Sequence, residues 1–139
     1  MAATHFSGPV ISAGGFEGPA SNTTLTAATT LTAADSGKTF YLNAAAGANI
    51  TLPAPSAGVN YKFIVAALFA TTDWVITATG AIMEGTIMEL STVQAVAAAT
   101  TINLELATDT LGDWIALESD GTTWFVSGAF AQAASVTPA

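Results

Sequence analysis

The sequence contains no cysteine and no arginine, and these two absences exclude several kinds of protein. Without Cys there is no disulfide framework, no thiolate nucleophile and no Cys-ligated metal. Lys38 and Lys62 are the only Lys or Arg side chains, so the chain cannot neutralise a run of phosphates, and we expect no nucleic-acid partner. A single His excludes a multi-His metal centre, and we expect neither a metal nor an organic cofactor.

Charged side chains of both signs are scarce. They make up 9% of the chain, and ten acids against two Lys give a formal net charge of −8. Soluble domains carry about 25% charged residues. Two explanations stay open: a Thr-, Ser- and Asn-rich β surface that its acids keep in solution, or a surface covered by other copies or by a partner. Because Thr, Ser and Asn carry little catalytic chemistry alone, we do not expect an enzyme.

Long apolar runs are also missing. The longest strongly apolar run, residues 63–69, is far shorter than the roughly 20 residues of a membrane-spanning helix, so we expect no membrane partner. The N-terminus shows no basic segment followed by an apolar core, which predicts synthesis in the cytosol. A mean hydropathy of +0.54 argues against disorder, and 139 residues fit a single domain.

Turn-forming residues separate an N-terminal arm from the rest of the chain. Residues 1–22 contain Gly-Pro twice and Gly-Gly once, with apolar residues between them. One interpretation is a frayed chain end. The other is a tether whose apolar anchors dock on a neighbour, and these anchors are Phe6, Val10, Ile11 and Phe16. We assign residues 23–130 to a β domain and residues 131–139 to a C-terminal tail.

Apolar and polar residues alternate along most of the domain. Alternation predicts half-buried strands such as 38–43, 49–52 and 101–106, the last with Leu106 facing inward. Residues 93–99 leave helix and strand open. About eight to ten short strands joined by short loops predict an all-β fold, an antiparallel β-sandwich or small barrel, jelly-roll-like, with an extended N-terminal arm.

The closing hairpin is the best-defined element in the sequence. A two-residue loop at Asp120–Gly121 is typical of a type I′ turn, and it would place Leu117 opposite Trp124. One face of this hairpin is wholly apolar. The other carries Trp114 and Phe125, which is too much aromatic surface to leave bare. We therefore expect that face to be buried by the rest of the domain or by another subunit.

Isolated residues offer little for catalysis or metal binding. His5 stands alone in the arm, which favours an arm or interface role over a ligand. Asp109, Asp113 and Asp120 could supply oxygen ligands for calcium. Their spacing matches no known loop, and acids beside Gly are ordinary turn residues.

One pair of acids and the three tryptophans allow more specific functional interpretations. Glu84 and Glu89 could act as acid and base in glycoside hydrolysis, but charges that discourage edge-to-edge pairing are the simpler interpretation. Trp74, Trp114 and Trp124 could stack on sugars. Because all three lie inside predicted strands, core packing is favoured.

Several segments resemble tailed-bacteriophage virion proteins, in particular head decoration, or cement, proteins. The similar segments are residues 2–10, 31–40, 50–54, 112–117 and 119–128. The resemblance implies a trimeric β-rich knob at the local three-fold positions of the capsid surface, with the arm reaching over the shell. It implies the major capsid protein and other copies of the chain as partners, the virion as location, and synthesis in the host cytoplasm. It supplies no catalytic residues.

The interface hypothesis names six residues. These are Phe6, Val10, Ile11 and Phe16 in the arm and Trp114 and Phe125 in the domain. Two other functions stay open. The closing hairpin also occurs in phage tail and fibre modules, so a tail-fibre or adhesin-type module that binds a host surface glycan is the first alternative. A small glycosidase is the second.

Overall fold

A computed structural model describes residues 22–139 of the chain. The four arm residues named above, and His5, lie outside this range. Within it the chain forms twelve strands and one 3-10 turn, Ala33–Asp35. In chain order the strands are β1 (Asn22–Leu25), β2 (Thr29–Thr30), β3 (Thr39–Leu42), β4 (Asn49–Leu52), β5 (Asn60–Val65), β6 (Trp74–Ala78), β7 (Met83–Glu89), β8 (Thr92–Ala99), β9 (Thr101–Leu104), β10 (Trp114–Ser119), β11 (Trp124–Phe130) and β12 (Val136–Pro138).

The strands form two sheets that pack face to face. The seven-stranded sheet has the order β1-β3-β5-β10-β11-β7-β8, and the five-stranded sheet has the order β12-β9-β6-β4-β2. Inward-facing apolar side chains of both sheets form one buried core. The predicted all-β sandwich is therefore confirmed, while strand direction differs from the prediction.

The sheets are mixed rather than antiparallel. Of the ten strand pairings within residues 22–139, five are parallel. From β1 to β6 the chain alternates between the two sheets, so each sheet receives every second strand, and those strands run in the same direction. The prediction of antiparallel pairing is wrong for these strands, because a short loop can cross between sheets as readily as it closes a hairpin.

True hairpins occur in the second half of the domain. Residues 93–99, where helix and strand were both open, belong to β8, which pairs antiparallel with β7. The β7–β8 register shifts between Met83 and Gly85. Gly85 has φ 151°, and a Cβ atom there would lie 2.0 Å from the carbonyl oxygen of Val126 on β11. Glycine is required at this position because β7 and β11 approach too closely for any side chain.

The β10–β11 hairpin has a longer loop than predicted. Leu117 lies opposite Val126, not Trp124, so the register is shifted by two residues. The Asp120 carboxylate accepts hydrogen bonds from the N–H groups of Thr122 and Thr123, and of the two turn residues only Gly121 has positive φ. The type I′ prediction is therefore wrong. Because the register is shifted by an even number of residues, every side chain stays on its predicted face.

The C-terminal end of β9 also differs from the prediction, which placed Leu106 inside the strand. The strand ends at Leu104, which is buried, and Leu106 is 38% exposed instead of facing inward. The Leu106 N–H donates to the Asp73 carboxylate at 2.8 Å, and Ala107 has φ 68°. These features turn the chain away from the sheet.

Aromatic side chains fill the centre of the sandwich. Trp74 and Trp124 are fully buried, which confirms core packing for two of the three tryptophans. Tyr61 contacts Trp124, and its hydroxyl donates to the Thr32 carbonyl at 2.8 Å. Burial raises the pKa of Tyr61 to about 12, with a smaller contribution from the negative charge of Asp35.

The segment that the sequence set apart as a tail, residues 131–139, contains a strand. In it β12 pairs antiparallel with β9 in the five-stranded sheet. The buried carboxylate of Glu89, at the end of β7, accepts a hydrogen bond of 2.7 Å from the Val136 N–H. This bond joins the two sheets at one end of the sandwich.

Candidate functional site

The outer face of the seven-stranded sheet carries a continuous line of apolar side chains. Six residues, each opposite the next in the strand register, cross six neighbouring strands. We call this line the apolar row. Its members are Tyr41, Ile64, Trp114, Ala129, Met88 and Val93. Met88 and Val93, at the β8 end, are 59% and 66% exposed.

The local sequence explains why these side chains face outward. Ile64, for example, lies between Phe63 and Val65, which are both buried in the core. Side chains alternate along a strand, so Ile64 must face the other way. A strand that is apolar on both faces is typical of a sheet covered on both sides. Within residues 22–139 nothing packs over the Met88 and Val93 end of the row.

The apolar surface extends beyond the row itself. Leu90, which follows the end of β7, is 66% exposed. A shallow pocket of about 290 Å³ lies at this end, lined by Met88, Leu90 and Trp114 among others. Contiguous exposed apolar surface of this kind marks interaction sites in soluble proteins.

Trp114 and Phe125 share this outer face but lie in different rows. Trp114 is half-buried within the apolar row, and the Lys62 ammonium lies 4.7 Å from the centroid of its ring, a cation–π contact. Phe125 is 50% exposed and lies opposite Glu118 and Glu84. The described part of the domain therefore leaves half of the Phe125 side chain in solvent.

A shallow groove of about 500 Å³ runs beside the apolar row, across β3, β5, β10 and β11. We call it the lysine groove, because both lysines of the chain line it. Lys38 forms an ion pair of 2.8 Å with Asp35. This hydrogen bond, with others from Thr32, lowers the pKa of Asp35 to about 2. Other side chains at the groove are Thr39, Asn60, Glu118, Phe125 and Ser127.

The outer face of the five-stranded sheet has a different chemistry. One cross-strand row consists entirely of threonine, and the next consists of Asn, Val and Thr. We call this surface the Thr face. Its rows are Thr30, Thr51, Thr77 and Thr101, and Asn49, Val75, Asn103 and Thr137. Neither row contains a charged side chain.

The aspartates considered as calcium ligands hold loops in place. Asp109 accepts from the Phe69 N–H at 2.7 Å, and Asp113 accepts from the N–H groups of Thr110 and Ala131. Burial nevertheless raises the pKa of Asp113. The whole of β10 separates Asp113 from Asp120. In residues 22–139 no three His, Asp or Glu side chains come close enough to hold a metal ion.

The two glutamates considered as an acid–base pair lie on opposite faces of β7. Glu84 faces outward and accepts a hydrogen bond from the Ala98 N–H at 3.0 Å. Glu89 faces the core and bonds to β12, so it is not an exposed charge either. The edge-protection interpretation is therefore wrong for Glu89, because its carboxylate is buried and bound, and the two carboxylates do not face one common site.

Sequence reasoning missed the apolar row and the lysine groove. Both features combine residues from strands that are distant in the chain, and their alignment depends on the strand order. One local signal was present, since residues 61–65 are apolar at nearly every position. This signal indicates a strand with two faces to cover, although it does not identify the cover.

Comparisons with known proteins identify no relative. No family model, curated protein or solved structure matched the chain. No helix in residues 22–139 is long and apolar enough to cross a membrane.

Proposed function

We propose that this chain is a capsid decoration protein, a structural protein that binds the outer surface of a phage head and stabilises it as a trimer at local three-fold positions. The observation that carries the proposal is the apolar row, with Met88 and Val93 largely exposed on the outer face of a two-sheet body. A surface of this kind is suited to coverage by protein. A decoration protein needs such a surface and no catalytic chemistry.

The charge distribution supports contact between copies at this face. The chain carries a formal net charge of −8, so two copies repel each other over most approaches. The apolar row contains no acid, and copies related by symmetry bring the same residues together around an axis. Contact at the apolar row therefore avoids placing like charges against one another.

The arm provides the second contact in this proposal. Phe6, Val10, Ile11 and Phe16 would dock on the major capsid protein or on a neighbouring trimer. Each contact can be weak, because many copies on one particle bind at once and the contacts of each trimer are linked. The virion surface is then the proposed location of the protein.

Co-sedimentation with capsids that lack decoration protein tests this proposal. The variant Met88→Glu with Val93→Lys places an opposite-charge pair at register partners, which preserves strand pairing but removes the apolar end of the row. The matched control, Thr51→Glu with Thr77→Lys, makes the same change on the Thr face. We expect the first variant to lose at least tenfold in capsid affinity and the control to bind like wild type.

A second variant tests the arm separately. Deletion of residues 1–20 should abolish particle binding while the purified domain keeps its β-sheet circular dichroism spectrum. Retained binding by the truncated protein would overturn the role of the arm. Equal binding by the two charge-pair variants would overturn the role of the apolar row.

The lysine groove favours one alternative, a glycan-binding module of a tail fibre or adhesin. Phe125 is half exposed beside polar side chains, including Asn60 and Glu118, and aromatic rings with nearby polar groups can bind sugars. A glycan array with wild-type protein tests this function, and Phe125→Ala should remove any signal. Array binding together with absent capsid binding would replace the decoration proposal.

A further inference from the structure

The edge strand β8 differs from the other sheet edges within residues 22–139. β2 and β12, the edges of the five-stranded sheet, are two and three residues long, and β12 includes Pro138. β1 has four residues, whereas β8 has eight and contains neither proline nor a charged side chain. Short edges, proline and charge are common means of preventing strands of two molecules from pairing. β8 has none of these protections.

The open side of β8 presents backbone hydrogen-bonding groups. Glu89 and Thr92 are register partners that flank a two-residue loop, so they form a hydrogen-bonded pair of the β7–β8 hairpin. Such pairs alternate along an antiparallel ladder, and Ala95, opposite Thr86, therefore directs its N–H and C=O away from β7. The Ala95 carbonyl accepts a hydrogen bond of 3.3 Å from the Gln94 amide, which is long enough for a neighbouring strand to replace.

The side chains along this edge leave room for another strand. Val93, Ala95 and Ala97 are exposed, and the two alanines are too small to block an approaching backbone. The regular part of the strand ends at Ala98, which has φ 50° and whose N–H donates to the Glu84 carboxylate. Residues 92–97 thus form an open edge of ordinary strand length.

A second copy of this chain is the partner that this edge fits. An antiparallel arrangement about a two-fold axis brings the same edge of two molecules together, so that N–H groups meet C=O groups. In a chain of net charge −8, repulsion opposes most contacts between copies. No charged residue occurs between Glu89 and Glu105, so the facing segments add no repulsion of their own.

We propose that β8 pairs antiparallel with β8 of a second copy, with the two-fold axis at Ala95, so that one sheet continues through both molecules. Ala95 lies near the middle of residues 92–97 and directs both backbone groups outward, which allows it to exchange two hydrogen bonds with the partner's Ala95. This contact uses the edge of the sheet and not its outer face. It is therefore separate from contact at the apolar row, and the inference does not depend on the proposed capsid role.

Amide hydrogen exchange of the wild-type protein, followed by NMR at rising protein concentration, is the first test. An N–H on an open edge exchanges readily with water, whereas a paired one is protected. We expect protection of the Ala95 N–H to increase at least tenfold over the concentration series, while exposed loop N–H groups keep their rates. Face-to-face contact at the apolar row leaves the edge N–H groups open. Exchange at Ala95 that does not change with concentration would overturn the proposal.

The variants Ala95→Lys and Ala95→Glu provide the second test, because a residue on the axis meets its own copy. Like charges face each other in either variant alone, whereas a mixture of the two brings opposite charges together. We expect pairing, measured by sedimentation equilibrium, to weaken at least tenfold in each variant and to recover in the mixture. Thr77→Lys and Thr77→Glu, on the Thr face, are the matched controls and should pair like wild type, alone and mixed. Absence of recovery in the Ala95 mixture, or the same pattern in the controls, would contradict the proposed axis and pairing.

Discussion

The outer faces of the two sheets differ in charge: the two rows of the Thr face contain no charged side chain, whereas the outer face of the seven-stranded sheet carries Lys62, Glu84 and Glu118 beside its uncharged apolar row. Hydroxyl and amide groups line the Thr face, whereas Met88, Val93 and Phe125 stand exposed on the other. The first surface can be hydrated without charges. The second is the one that a partner would cover. The two explanations left open for the low charge of the sequence therefore fit different faces of one molecule.

The largest predicted effect is a loss of stability caused by disrupting the seven-stranded sheet. Gly85→Ala would place a Cβ 2.0 Å from the Val126 carbonyl oxygen and separate β7 from β11. We expect a loss of more than about 3 kcal/mol in the free energy of unfolding. Urea denaturation followed by Trp fluorescence measures it. Gly58→Ala is the control, because Gly58 has φ 81° but open space around it, and it should cost only about 1 kcal/mol.

The next largest effect concerns the base of the hairpin that carries Trp114. Asp113→Asn leaves one of the two N–H groups, of Thr110 or Ala131, facing an amide instead of an acceptor. We expect a loss of about 1–3 kcal/mol in stability. Asp120→Asn at the exposed tip should cost less, and an equal loss in the two variants would contradict this account.

A smaller effect distinguishes the two faces directly. If the apolar row joins copies, light scattering after size exclusion should give about three times the chain mass of 13.9 kDa for wild type. Met88→Glu with Val93→Lys should weaken this assembly at least tenfold, while Thr51→Glu with Thr77→Lys leaves it intact. Loss of assembly in both variants would show that the faces do not differ in this respect.

The smallest effect lies at the rim of the lysine groove. The pKa of Asp35 is lowered from 3.8 to about 2, so its carboxylate stabilises the fold above pH of about 4. This contribution is lost as the pH falls from about 4 to about 2. Asp35→Asn should remove that part of the acid dependence, as thermal melts between those pH values would detect. An unchanged pH profile in the variant would contradict the assignment.

The β10–β11 hairpin shows which features could be predicted from the sequence and which could not. The faces of Leu117 and Trp114 were predicted correctly, because alternation along a strand is local. The register was not, because Asp120 binds the N–H groups of Thr122 and Thr123 and lengthens the loop. Two predictions from the sequence concerned Trp114, core packing like the other tryptophans and a hairpin face covered by the domain or another subunit. The structure places the side chain half-buried on the outer face.

Alternation by itself determined most of the strands, the all-β class and most of the inward side chains, since each depends on neighbouring residues along the chain. Only the tertiary structure decided the alternating path between sheets, the parallel pairings and the strand order. Those depend on contacts between strands far apart in sequence. The apolar row and the placement of both lysines in one groove follow from that order, because the register across six strands brings their residues together.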